Sequence, residues 1–198
     1  MKFAIIGSGA IGSALAAQFA RSGISVLVAN SRGPASLVGL AQKLGPSIKP
    51  ASVEDALRQD IVILAVPFVA VAETAREMSP WNNRIVVDAT NAISFPKFEP
   101  IDLGGRRSTD VVAELFPGAR VVKAFNTLPA ALLASPPSEQ GGRRVIFMSG
   151  DDRSANSDVA NLVEKLGFAP IVLGTLSAAA PMQEFGGSLM VHNLIKMS

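Results

Sequence analysis

Short apolar runs alternate along the chain with stretches of helical periodicity. Phe3-Ala4-Ile5-Ile6 is the first run. Ile11, Leu15 and Phe19 then recur four apart with alanines between them, as one helix face requires, and Ser22-Gly23 ends that helix with glycine in the capping position. Val26-Leu27-Val28-Ala29 reads as a second strand. Residues 34–44 predict a short helix closed by Gly45-Pro46, then a weak strand at 47–49 and a helical turn or two at 53–59. Ile61-Val62-Ile63-Leu64-Ala65-Val66 is an unbroken apolar run, typical of a strand covered on both faces, and Pro67 stops it. Beyond it the pattern predicts a helix over 69–78, a strand over 85–88, a helix from Ser108 to Phe116 and strands over 120–125 and 145–148. A helix ending at Leu166-Gly167 and a last strand at 171–173 follow. Two excursions, 94–107 and 135–142, read as loops. In the tail, Phe185, Leu189, Met190, Leu194 and Ile195 align as one face of an amphipathic helix over 183–197.

This alternation predicts an α/β fold: a doubly wound, largely parallel sheet of the Rossmann type, with two extra strands and a C-terminal tail helix. No linker interrupts it, so the expectation is one domain over residues 1–198. At 48% apolar and 17% charged residues, the chain can bury one substantial core. A net charge of +2 is too small to argue for nucleic acid. There are no cysteines, which excludes disulfides and thiolate metal sites and suits a reducing cytoplasm. No metal site is expected. No apolar run reaches the ~18 residues of a membrane span, so no membrane partner is expected either. The apolar N-terminus mimics a signal peptide, but glycines break it.

Those glycines are the most informative residues. Gly7-Ser8-Gly9-Ala10-Ile11-Gly12 joins the first strand to the first helix, in the GxGxxG spacing of a dinucleotide fingerprint. Pyrophosphate would sit at the helix N-terminus, where free N–H groups and the helix dipole favour negative charge. An NAD site normally offers a carboxylate to the ribose about 20 residues past the glycines. This chain has no acidic residue before Glu54, and the corresponding strand end reads Asn30-Ser31-Arg32. Arg32 and Ser31 suit a 2′-phosphate, so the expected nucleotide is NADP(H).

The missing residue types restrict the chemistry. Without tyrosine, a Tyr–Lys proton donor pair is impossible. The one histidine, His192, lies in the tail and reads as a helix or interface residue. Lys123 lies inside a strand signal and reads as structural. A second substrate must therefore dock at the carboxyl ends of the strands, against Val66-Pro67-Phe68, Ala89-Thr90-Asn91 and Asn126-Thr127-Leu128-Pro129. That wall is apolar with a few amides and hydroxyls. It suits a flat ring that takes hydride directly from another carrier, with catalysis mostly by positioning.

In these features the chain resembles the NADPH-dependent reductases of the deazaflavin coenzyme F-420, and also the nucleotide domains of membrane ferric reductases. The resemblance rests on residues 7–12, Asn30-Ser31-Arg32, Val66-Pro67-Phe68 with Thr74-Ala75-Arg76, residues 125–131 (Phe-Asn-Thr-Leu-Pro-Ala-Ala) and Ser149-Gly150-Asp151-Asp152. It implies NADP(H) against residues 7–12, Ser31, Arg32 and the turn at Val66, Pro67 and Phe68. It implies a deazaflavin against Pro67, Asn91, Asn126, Thr127, Leu128 and Pro129, and a homodimer. The chain departs from the family where Gly33-Pro34 stands in place of a second basic residue, and where Asn126 replaces a histidine found in some members.

The expected function is an NADP-dependent oxidoreductase that passes hydride to coenzyme F-420. The alternatives are a reductase of free flavin, an NADP(H)-binding sensor without turnover, and a dehydrogenase of a small alcohol or acid. The expected partners are a small-molecule redox acceptor and a second copy of the chain, contacted through the tail helix. Arg106, Arg107, Arg143 and Arg144 are candidates to grip a phosphorylated acceptor tail.

Overall fold

The computed structural model describes residues 1–76 and 80–197. The chain begins β1 (Phe3–Ile6), α1 (Ala10–Arg21), β2 (Val26–Ala29), α2 (Val38–Leu44), β3 (Ile48–Pro50), α3 (Val53–Leu57), β4 (Ile61–Leu64), α4 (Val71–Arg76) and β5 (Ile85–Asp88). A small hairpin, β6 (Ile93–Ser94) and β7 (Glu99–Pro100), precedes α5 (Ser108–Leu115) and β8 (Arg120–Ala124). Then come α6 (Ala130–Ala134), β9 (Ser138–Glu139), β10 (Gly142–Gly150), α7 (Arg153–Lys165), β11 (Ala169–Val172), α8 (Leu176–Gln183) and β12 (Ile195–Met197). The helix expected over 69–78 is described to Arg76; residues 77 and 78 lie outside the described residues.

The main sheet runs β11-β10-β8-β5-β4-β1-β2-β3. From β8 to β3 all neighbours are parallel. The order reverses direction at β1, whose neighbours are β4 and β2, and such a switch point opens a crevice at the carboxyl ends of the strands. The Rossmann architecture is thus present, with β10 antiparallel to β8 and β11 parallel to β10 as the extra strands.

The unbroken apolar strands are explained by two covered faces. Ile61 and Ile63 enter one core cluster with Ile5, Val87 and Val122, while Val62 and Leu64 enter the other with Ala4, Ile6 and Val86. Successive strand residues point to opposite faces, so a sheet with helices on both sides needs no polar position. Burying each such side chain contributes about 1.5–3 kcal/mol.

The tail is where the expectation fails. Residues 183–197 are not a helix. The helix lies earlier, as α8, and the chain turns immediately after it, with Gly186 at φ +86° and Gly187 so close to the Met182 carbonyl that an added Cβ would lie 2.5 Å from its oxygen. The chain then closes as β12, antiparallel to the start of β10. The apolar residues that mimic a helical stripe are distributed instead: Phe185 and Met190 face a cavity, Leu189 packs on the β10–β11 cluster and Ile195 pairs with Arg144. The helical face expected to carry a subunit contact does not form.

Candidate active-site cleft

Two cavities meet over the glycine loop. One has a volume of about 620 Å³ and lies over β1 and β2; the other, about 600 Å³, lies over the carboxyl ends of β5 and β8. Gly9, Ala65, Val66 and Pro67 line both, so together they form one cleft along the crevice at β1.

The glycine loop is shaped by close approaches. Gly7 sits at φ +109°, and an added Cβ would lie 2.2 Å from the Ala65 carbonyl oxygen. A Cβ on Gly12 would lie 2.0 Å from the Gly7 oxygen, so helix α1 packs on the loop at a distance that only glycine permits. Gly9 differs: a Cβ there meets no protein atom within 4 Å. Its absent side chain leaves space for a ligand. Gly9 is also the cap of α1, without a side-chain capping bond and with no acidic residue in the first turn. The first-turn N–H groups therefore have no side-chain acceptor and face an anion-binding position.

The first cavity is polar. Ser8, Asn30, Ser31, Arg32, Ser52 and Thr74 line it, together with Glu73 of α4. Asn30 ties its wall together. Its Nδ2 donates to the Ser8 hydroxyl at 2.8 Å, and its Oδ1 accepts from the Arg32 N–H at 2.9 Å and the Ser36 hydroxyl at 3.1 Å. Arg32 itself is exposed, with Nη2 3.4 Å from the Ser8 hydroxyl.

The second cavity is apolar, and among the described residues no titratable side chain lines it. Ala10, Ile11, Val66, Pro67, Asn91, Asn126, Thr127, Leu128 and Pro129, all singled out from the sequence, are on its wall. Two amides lock its floor. Asn91 Nδ2 donates to the Asn126 carbonyl at 3.0 Å, and Asn126 Nδ2 donates to Asn91 Oδ1 at 3.0 Å and to the Gln183 carbonyl at 2.7 Å.

Two expected residues stand elsewhere. Gly12 lines neither cavity; it is a packing glycine. Phe68 turns away from the cleft onto the core cluster on the α4 face, because the 3₁₀ turn that follows Pro67 points it inward. The structure also adds residues that sequence reasoning missed. Phe95 and Phe98 on the hairpin loop contact each other edge-on at 5.0 Å and line the apolar cavity while remaining more than half exposed. Phe185, Met190 and Val191 line it from the tail, with the Val191 N–H bonded to the Thr127 carbonyl at 2.8 Å. Two phenylalanines in an otherwise polar, proline-rich loop were the available signal.

The four arginines considered for a phosphorylated tail are occupied. Arg106 pairs with Glu114, Arg107 with Asp110, and the buried Arg144 with Glu139, while Arg143 donates to the Phe168 carbonyl. The hydrogen bond to Asp110 holds the Arg107 guanidinium above its ordinary value. His192 is exposed, and Lys123 is fully buried in β8.

Fold and cleft together define a Rossmann-type, dinucleotide-binding oxidoreductase. Residues 2–92 match the family model described as NADP oxidoreductase, coenzyme F-420-dependent. A solved structure of a hypothetical protein, SMa0349 from Sinorhizobium meliloti, is 55% identical, with a TM-score of 0.96 over 99% of this chain and 96% of that one. A candidate F-420-dependent NADP reductase from Arthrobacter sp. FB24 is 28% identical, with a TM-score of 0.72 over 91% and 87%. Among curated relatives, metalloreductase STEAP3 of Rattus norvegicus is 29% identical over 187 residues, covering 92% of this chain and 36% of the relative. The chain spans about a third of the length of the curated metalloreductases that it matches. The match to that family model spans residues 2–92, just under half of the chain. Among the described residues, no helix is long and apolar enough to cross a membrane.

Proposed function

We propose that this protein transfers hydride between NADP(H) and a flat, flavin-like acceptor, either the deazaflavin coenzyme F-420 or a flavin. The observation that carries this reading is the apolar cavity of about 600 Å³, continuous with the nucleotide cavity and lined, among the described residues, by no titratable side chain. A small alcohol or acid would need a positioned proton donor or acceptor at the reacting oxygen. A ring system that takes hydride at one atom, and its accompanying proton from water, needs only alignment.

The residues divide the work. Arg32 and Ser31 hold the 2′-phosphate, as a guanidinium with a neighbouring hydroxyl can. The first-turn N–H groups of α1 and the open space at Gly9 receive the pyrophosphate. Pro67, Asn91 and residues 126–129 present an apolar, rigid surface to the ring pair, and Phe95, Phe98 and Phe185 exclude water from its edge. When bound, NADPH supplies the hydride. The Arthrobacter neighbour and the family description name F-420, which supports that coenzyme, and the curated relatives are metalloreductases, which supports a metal as an alternative acceptor.

The test is anaerobic oxidation of NADPH and NADH against coenzyme F-420, FMN, riboflavin, a quinone and a ferric chelate with and without flavin. Turnover with a flavin-like acceptor, faster with NADPH, is the expected result. Tight NADPH binding with no turnover against the whole panel overturns the reading in favour of a sensor.

A further inference from the structure

Beneath the apolar cavity lies an ion pair that solvent does not reach. Lys123 in β8 and Asp88 at the end of β5 are register partners, and both side chains are 0% exposed. Lys123 Nζ donates to Asp88 Oδ2 at 2.8 Å and to the Thr90 carbonyl at 2.7 Å. Asp88 Oδ1 accepts from the Thr90 N–H at 2.9 Å and from the Thr90 hydroxyl at 2.7 Å. Thr90 is thus gripped at its carbonyl, its N–H and its hydroxyl by one buried pair.

The grip propagates. Asn91, next in the chain, exchanges hydrogen bonds with Asn126, and Asn126 donates to the Gln183 carbonyl. Gln183 is fully buried; its Oε1 accepts from the Ser149 hydroxyl at 2.5 Å and its Nε2 donates to the Phe147 carbonyl at 3.2 Å. Phe125, just before Asn126, is buried at φ +66°, a conformation that costs free energy and persists only where its surroundings over-determine it. One polar chain therefore joins β5, β8, β10 and α8, and its middle members, Thr90, Asn91 and Asn126, line the apolar cavity.

An ion pair in a strand core is poor value as a source of stability, since well-packed apolar residues often do as well. We propose that Lys123 and Asp88 are positioning residues for the nicotinamide end of the cleft: they fix Thr90 and, through Asn91 and Asn126, the surface on which the ring is aligned, while touching no ligand themselves. The proposal rests on placing the nicotinamide in the apolar cavity, and it is tested by binding, so that it stays readable if no acceptor is ever reduced.

The experiment compares NADPH with 2′,5′-ADP, which carries the adenosine phosphates but no nicotinamide, on the wild type and on Lys123→Met/Asp88→Asn. The double variant leaves no lone buried charge and keeps an acceptor for Thr90 at position 88, but it removes the bond to the Thr90 carbonyl. The expected result is a folded protein whose NADPH affinity falls about tenfold with 2′,5′-ADP affinity unchanged. If a flavin-like acceptor is reduced, kcat falls with it. Equal loss for both ligands, or no loss for either, overturns the proposal and leaves the pair a purely structural one. Should the double variant not fold, Thr90→Val makes the same comparison by removing only the hydroxyl bond to Asp88. A selective loss of about threefold is then expected, and unchanged binding overturns the proposal.

Discussion

The two cavities of the cleft are almost equal in volume and opposite in character. The one over β1 and β2 is lined by hydroxyls, an amide, the exposed Arg32 and Glu73; the one over β5 and β8 is lined by aliphatic and aromatic groups and locked amides. In the proposed function, charge chooses the nucleotide in the first and shape aligns the rings in the second. The glycine loop borders both through Gly9, and it is held in place by the close packing of Gly7 and Gly12.

The largest expected effect follows from that packing. Gly12→Val places a side chain where a Cβ alone would lie 2.0 Å from the Gly7 oxygen. It should destabilise the fold by about 3 kcal/mol or more and abolish NADPH binding, as seen by thermal denaturation and titration. Survival of binding would mean that the two cavities do not depend on the loop geometry. Arg32→Ala separates the cavities more gently. NADPH affinity should fall about 10- to 100-fold while NADH affinity stays the same, and the NADPH loss should shrink at high salt. A matching loss for NADH would show that Arg32 does not read the 2′-phosphate.

Phe95→Ala/Phe98→Ala acts on the apolar side alone. It should raise the acceptor KM about three- to tenfold with NADPH affinity unchanged, because it removes an edge-on aromatic pair from the cavity mouth. The smallest effect is in the pH profile. With no titratable group on the apolar cavity, kcat should be nearly flat over about pH 6 to 9. Stability should still fall in acid. The Asp152 carboxyl is held below its ordinary value, chiefly by the Ala155 N–H it caps, then by Ser154. A depressed carboxyl stabilises the fold above its unfolded value of about 3.9, and that contribution is lost as pH falls through the folded value. Asp152→Asn should therefore flatten part of the acid limb of stability without altering kcat. A bell-shaped kcat profile would break the comparison.

Much of the polar cavity was legible because its signals are local. Strand, glycines, helix, strand and Asn30-Ser31-Arg32 fall within the first 32 residues, and each obeys a spacing that short-range physics imposes. The apolar cavity is assembled from distant segments. Its floor, at Asn91 and Asn126, could be placed once the strand ends were known. Its mouth could not. Phe185, Leu189, Met190, Leu194 and Ile195 satisfy helical spacing, yet the spacing reflects separate contacts with the cavity, the β10–β11 cluster and β10, and Gly186-Gly187 carried the contrary signal. The antiparallel direction of β10 was hidden for a related reason: a covered strand reads the same in either direction. Lys123 was read as structural from its place in a strand, but its partner across the register, Asp88, is visible only in the sheet.

The hairpin of β6 and β7 begins at Ile93, one residue past the end of the family match at residue 92. With the tail, it supplies the aromatic rim of the apolar cavity from outside the main sheet path. In evolutionary terms this makes the rim an exchangeable part. Substitutions there would reshape the cavity mouth without disturbing a parallel strand. On the proposed function, such changes would trade one electron acceptor for another while the reductant stays the same.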